Sequence, residues 1–114
     1  MTFPQRGEIW KIVFDPTVGG EIRKTRPAVV ISNDHNNRWA MTVTVLPVTD
    51  QGHEVFPFEV FLPAVTPGLS KDSKIKCQQI RTVDKSRLIK LLGRIESQTL
   101  VLIEEAIRLH LGFY

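Results

Sequence analysis

Turn-forming residues cut this chain into short apolar runs, and only the last segment keeps a helical period over several turns. Glu8–Phe14 alternates, with Trp10, Ile12 and Phe14 on one face, and is rich in the β-branched and aromatic types that suit a pleated surface. Asp15-Pro16-Thr17-Val18-Gly19-Gly20 closes it with turn chemistry. Pro27–Ser32 is almost continuously apolar, which marks a central strand, with proline at its first position. Thr42–Pro47 and Phe58–Leu62 are further strands, separated by polar turns at Asn33–Arg38 and Thr49–Glu54. Ser73–Ile80 alternates again, with Ile75, Cys77 and Gln79 on one face and Lys74, Lys76 and Gln78 on the other. Asp84 caps one helical turn, and a short strand covers Leu91–Ile95.

From Ser97, read as an N-cap, the apolar positions Leu100, Ile103, Ala106, Ile107 and His110 recur at 3–4 spacing. Gly112 stands where a helix ends, and Glu104 and Arg108 form an i,i+4 pair on the outer face. Many short strands, local turns and one terminal helix predict a single domain over 1–114. It is mostly β with helical additions, an antiparallel barrel with a C-terminal helix.

Composition removes several classes of function. With 114 residues, 42% hydrophobic and 24% charged, the chain folds without needing a disulfide or a metal. It has no uncharged apolar stretch near the ~18 residues of a membrane span, its start lacks a signal-peptide core, and Cys77 is its one cysteine. These features predict a cytoplasmic protein with no membrane partner. His35, His53 and His110 are scattered, so no metal site and no cofactor are expected. A glycine-rich phosphate cradle and a G-x-S-x-G elbow are both missing from the sequence. The net charge is +3, but Lys71–Lys90 alone carries +5, which leaves −2 for the rest. A basic window of this kind suits a polyanion or is simply a solvated surface.

Arg26 stands where a glycine-containing loop with Arg23 and Lys24 enters the apolar strand, and Pro27 holds its backbone extended. A guanidinium there can fork onto a phosphate, or serve as an ordinary strand-entry arginine. Thr49 can donate to a phosphoryl oxygen or open a turn. His53 is a base candidate or a solvated loop histidine, and His110 belongs to a core or an interface. Gln79 can read a base edge or be a satisfied buried amide, and Trp39 and Phe56 can stack on bases if exposed. Trp10 is expected in the core.

Five blocks in order resemble the MazF/PemK (Kid-like) toxins of toxin–antitoxin systems. They are Arg6–Trp10, Asp15–Glu21, Thr25–Asn33, Leu46–Thr49 and Gln79–Lys85, and the likeness runs from Arg6 into the final helix. The resemblance implies an SH3-like barrel of the MazF/PemK/CcdB type and a homodimer. It implies a metal-independent, sequence-specific endoribonuclease acting on single-stranded RNA, blocked by a cognate antitoxin. Arg26 and Thr49 match the family's catalytic arginine and threonine. Gln79 and the loops beginning at Asp15 and Asp50 match RNA-contacting regions, so Thr17, Glu21, Arg23, Lys24, Asn33, Lys74, Lys76 and Gln79 are the expected RNA contacts. The PemK/Kid branch carries an aspartate at the position of Gln78 and a histidine at that of Gly20. Both are replaced here, which places the chain with the MazF branch and leaves the general base unassigned.

RNA can be cut by its own 2′-hydroxyl, so such an enzyme needs alignment and charge stabilisation more than a nucleophile. The expected products carry 2′,3′-cyclic phosphate and 5′-hydroxyl ends. Two other readings fit the same fold: a gyrase-poisoning toxin, and a non-catalytic RNA-binding barrel.

Overall fold

The computed structural model describes residues 3–50, 52 and 54–114. Its strands are β1 (Glu8–Val13), β2 (Thr25–Val30), β3 (Thr42–Thr49), β4 (Glu59–Leu62), β5 (Ser73–Lys76), β6 (Arg81–Asp84) and β7 (Leu88–Arg94). A short helix α1 (Asp34–Trp39) precedes β3, and helix α2 (Ser97–Leu111) follows β7. All pairings are antiparallel, in the order β4-β5-β3-β2-β1-β7, with β6 added to β3. The architecture is the expected mostly β fold with a C-terminal helix.

The long strand β3 organises the sheet. One end, Thr42–Val45, pairs with β6, and the other, Val48–Thr49, pairs with β5. β5 and β6 are thus two halves of one run, broken by a 3₁₀ turn at Cys77–Gln79. A single strand over Ser73–Ile80 is the sequence expectation; only Ser73–Lys76 of it is strand, and β6 lies beyond it at Arg81–Asp84. Alternation holds through Cys77, which is buried with Ile75. The 3₁₀ turn then carries Gln79 away from that face.

Side-chain alternation feeds two cores. Ile9, Val29, Leu46, Val48, Ile75 and Cys77 pack on one face, closed by Ile103 and Ala106 of α2. Ile12, Phe14, Ala28, Val30, Val43, Val45 and Val83 form the other, with Trp10 half-buried beside them. β2 supplies residues to both, which is why it reads as continuously apolar. Each fully buried Ile or Val here contributes about 1.5–3 kcal/mol.

Several local expectations are corrected. Asn33–Arg38 is not a turn but the start of α1, because the Asn33 side chain accepts from Asn36 N at 2.8 Å and caps it. β2 starts at Thr25, so Pro27 is its third residue, one before the β3 ladder begins at Ala28. Thr49 ends a strand instead of opening a turn. Ser97 is the first residue of α2, and its N-cap is Glu96. His110 is exposed, so it is no core residue. Glu104 pairs with Arg6 at 2.9 Å, tying α2 to the N-terminal segment, and not with Arg108. The turn at Asp84 and the left-handed Gly112 at the end of α2 are as expected.

Candidate functional site

The loop between β1 and β2 is built from the turn residues Asp15–Gly20 and is held by side chains distant in sequence but adjacent in the fold. Arg87 Nη1 donates to Val13 O at 3.0 Å and to Asp15 O at 2.7 Å. Arg81 Nη1 donates to Phe14 O at 3.2 Å. Gln79 clamps the loop's return: its Oε1 accepts from Ile22 N at 2.7 Å and its Nε2 donates to Gly20 O at 3.1 Å. The loop rejoins the sheet through Lys24, whose φ of 63° lies in the left-handed region that costs a non-glycine residue energy. Its carbonyl accepts from Phe14 N at 2.8 Å.

Pinned this way, the loop walls a cleft of about 310 Å³ lined by Glu21, Arg23, Lys24, Arg26, Thr49, Lys76 and Gln79, with Gly20 and Ile22. Two smaller clefts join it. One of about 180 Å³ shares Arg26 and reaches Asp50, Ser70 and Lys71. One of about 280 Å³ shares Thr49 and reaches Asp50, Gly52 and Lys74. Arg26 and Thr49 therefore stand where three clefts meet. A larger hollow of about 500 Å³, lined by Phe14, Ile22, Gln78 and Arg81, lies along the same loop and shares Glu21 and Gln79 with the first cleft.

Arg26 is half-buried, and its Nε makes one long contact, 3.4 Å to Arg23 O. Arg23 Nη2 likewise reaches only a carbonyl, Gly19 O at 3.4 Å. Among the described residues neither guanidinium forms an ion pair. Thr49, opposite Lys74 in the ladder, is 5% exposed. Glu21 is exposed, lines the cleft and accepts from Val18 N at 2.6 Å.

The β5 side is different. Glu59 of β4 is directly opposite Lys76, and its side chain is 1% exposed. Its Oε1 takes Lys74 Nζ and Phe56 N, both at 3.1 Å, and its Oε2 takes Gln78 Nε2 at 2.7 Å. Lys76 Nζ lies 3.9 Å from the same oxygen. Burial opposes the charge on Glu59, but donation from Gln78, Phe56 N and Lys74 outweighs it and holds the carboxyl below its ordinary range. Stripping one partner from such a buried group costs about 3–5 kcal/mol. Burial first, and then the Glu59 charge, pushes the Cys77 thiol up to about 12, so it is inert at neutral pH.

Of the expected residues, the main cleft gathers Glu21, Arg23, Lys24, Arg26, Thr49, Lys76 and Gln79. Gln79 has both amide atoms committed to the loop. Lys74 faces the same side as Lys76, as expected, but is 8% exposed and spent on Glu59 and on Glu54 O at 2.8 Å. Asn33 caps α1, and Thr17 contacts Asp15 at 3.4 Å without lining any of these clefts. Trp39 and Phe56 are exposed, 68% and 44%, and Phe56 stacks on Phe58 beneath Lys74. His53 lies outside the described residues. Glu59 escaped the sequence reading, because its signal is a register: an acid opposite a K-x-K-x-Q stripe is visible only once β4 is paired with β5. Among the described residues no group of three or more His, Cys, Asp or Glu is placed to hold a metal ion.

The family model for the PemK-like, MazF-like toxin of type II toxin–antitoxin systems matches residues 5–111. The endoribonuclease MazF9 of Mycobacterium tuberculosis is 42% identical, over 96% of this chain and 98% of that protein. A crystal structure of MazF from Deinococcus radiodurans superposes with a TM-score of 0.85 at 28% identity, covering 98% of this chain and 99% of that one. A MazE–MazF structure from the same organism gives 0.77 at 26% identity, covering 98% of each chain.

Proposed function

Since the chain belongs to the PemK-like, MazF-like toxin family of type II toxin–antitoxin systems, we propose that it is an endoribonuclease toxin. It cleaves single-stranded RNA at the cleft where Arg26 and Thr49 meet. The observation that carries this reading is the convergence of three clefts on those two residues, with cations on each side of them. An RNA strand laid through the clefts puts one phosphate beside Arg26 and its neighbouring nucleotides in the hollows to either side.

The substrate supplies its own nucleophile, the 2′-hydroxyl. As it attacks, charge grows on the non-bridging phosphate oxygens. Arg26, half-buried and without a carboxylate partner, is poised to meet that charge with two N–H groups. The hydroxyl of Thr49 adds a hydrogen bond, and the ammonium of Lys76 adds field. An arginine cannot take the proton, because its pKa exceeds ~12. Glu21 is the carboxylate that lines this cleft among the described residues, and it takes the base role. The departing 5′-oxygen takes its proton from water, so cleavage leaves a 2′,3′-cyclic phosphate and a 5′-hydroxyl, with no metal or cofactor taking part. Arg23 and Lys24 hold flanking phosphates, which positions the strand without reading its sequence.

The enzyme acts in the cytoplasm as a homodimer. Exposed apolar side chains such as Ile89, Leu91, Phe113 and Met41 support an interface larger than one chain's core. Its partner is a cognate antitoxin, as in the MazE–MazF structure to which it is similar. Among the described residues no helix is long and apolar enough to cross a membrane.

Incubating the purified protein with a long RNA in EDTA tests the reading. Cleavage at a short recurrent motif, with cyclic-phosphate ends, is expected. RNA that stays intact while the protein binds it would leave an RNA-binding barrel, and failure of both would leave a protein-directed toxin.

A further inference from the structure

We propose that Glu59 sets the charge of the RNA cleft: it absorbs Lys74 and thereby leaves the ammonium of Lys76 available to the nucleic acid. The proposal rests on the ribonuclease reading above. Lys74 and Lys76 alternate on β5 and so point to one side, and Gln78, in the 3₁₀ turn that follows, reaches the same carboxylate. Among the described residues, the carboxylate within 3.9 Å of both ammonium groups is Glu59. Both its oxygens are engaged: Oε1 by Lys74 Nζ and Phe56 N at 3.1 Å, and Oε2 by Gln78 Nε2 at 2.7 Å. Two ammonium groups share this single negative charge, so the cluster presents one net positive charge, not two.

The sharing is unequal. Lys74 sits 3.1 Å from the carboxylate with its side chain 10% exposed, and it donates a second time to Glu54 O at 2.8 Å. Lys76 sits 3.9 Å away, is 22% exposed and lines the cleft with Arg26 and Thr49. Lys74 is the counter-ion, and Lys76 is the contact. Glu59 and Lys74 are therefore positioning residues acting through Lys76: Lys74 borders the smaller cleft that shares Thr49, but its ammonium is spent on Glu59 and on Glu54 O.

This arrangement dictates opposite outcomes for two substitutions. Lys74→Gln strips Glu59 of its nearer cation, and the carboxylate draws Lys76 in. The cleft loses a charge although the altered residue is buried. Glu59→Gln keeps the shape and an acceptor for Phe56 N but frees both ammoniums. The double variant leaves Lys76 alone and returns the cleft to its starting charge. A merely structural role for the cluster gives no such reversal of sign.

The experiment is binding of an uncleavable, fully 2′-O-methylated single-stranded RNA of mixed sequence, followed by fluorescence anisotropy over a range of salt concentrations. Each phosphate contact contributes about 0.7 to the slope of log affinity against log salt for single strands. Lys74→Gln flattens the slope by about 0.7, Glu59→Gln steepens it by about 0.7, and the double variant restores it. Circular dichroism confirms that each variant is folded. If Glu59→Gln does not fold, Lys74→Gln compared with Lys76→Gln decides: both flatten the slope to the same extent. An unchanged slope in folded Lys74→Gln overturns the proposal. A wild-type protein whose RNA affinity ignores salt overturns the ribonuclease reading instead.

Discussion

The two walls of the cleft carry the same kinds of residue and differ in what those residues have left to give. On the β1–β2 loop and the start of β2, Arg23 and Arg26 reach only backbone carbonyls, at 3.4 Å. On β5, Lys74 and Lys76 lie 3.1 and 3.9 Å from a buried carboxylate. A formal charge count treats the four as equal. Coulombic attraction at 3–4 Å beneath the surface makes them unequal, because Lys74, in contact with its counter-charge, has little attraction left for a phosphate, while the more distant Lys76 keeps part of its own. The loop wall supplies charge with no counter-ion, and the strand wall supplies one net charge from two cations, because Glu59 offsets the other.

The sharpest way to break this contrast is to remove the least balanced cation. Arg26→Ala is expected to lower the cleavage rate at saturating RNA by about 10²-fold or more, with the melting temperature nearly unchanged. Single-turnover cleavage of a motif-containing RNA measures it. A folded Arg26→Ala protein that cleaves normally would move the chemistry out of the loop wall.

Glu21→Gln comes next. A general base contributes typically about 10²–10⁴-fold, and the amide preserves the contact to Val18 N. The rate should fall by about 10²-fold while the affinity for uncleavable RNA changes little. An equal loss in affinity and rate would make Glu21 a binding residue.

Gln79→Ala tests how the loop wall is held. Its amide makes two bonds to the loop, at 2.7 and 3.1 Å. Releasing them loosens the loop around Glu21 and Arg23, and displacements of about 1 Å are enough to cost up to 10²-fold in rate. A loss of about tenfold is expected on every RNA sequence, with faster amide exchange over residues 19–24. A changed cleavage motif with the loop still protected would make Gln79 a base reader, as the sequence reading allowed.

Gln79 also shows how far sequence carries. Most of the strands, their faces and the terminal helix follow from local periodicity and turn chemistry and were legible, but β6, the first residues of β7 and α1 were not. The break at Cys77–Gln79 was not, because alternation continues into it and a 3₁₀ turn leaves no mark over three residues. Arg26 and Thr49 were legible as candidates, from the loop–strand junction and from family likeness. The burial of Lys74 was not, since the partner that withdraws it comes from a strand paired in a register no local pattern encodes. Long-range pairing decided which charges were available, while local sequence decided only where they stood.

The smallest expected effect concerns the strand wall in acid. The Glu59 carboxyl is held below its ordinary value of 4.5 in the folded protein. A group with a depressed folded pKa stabilises the fold above its unfolded pKa, and loses that contribution as pH falls through the folded value. Wild-type protein should therefore lose stability relative to Glu59→Gln as pH is lowered from about 5 to about 3, while their difference stays flat from about 5 to 7. Urea denaturation midpoints of the two proteins across that range measure it. Arg26→Ala serves as the control, since the loop wall holds no buried carboxylate and the difference between Arg26→Ala and wild type should not follow that limb. If the gap between wild type and Glu59→Gln stays constant down to about pH 3, the carboxylate is not held by its donors, and the strand wall is no more balanced than the loop.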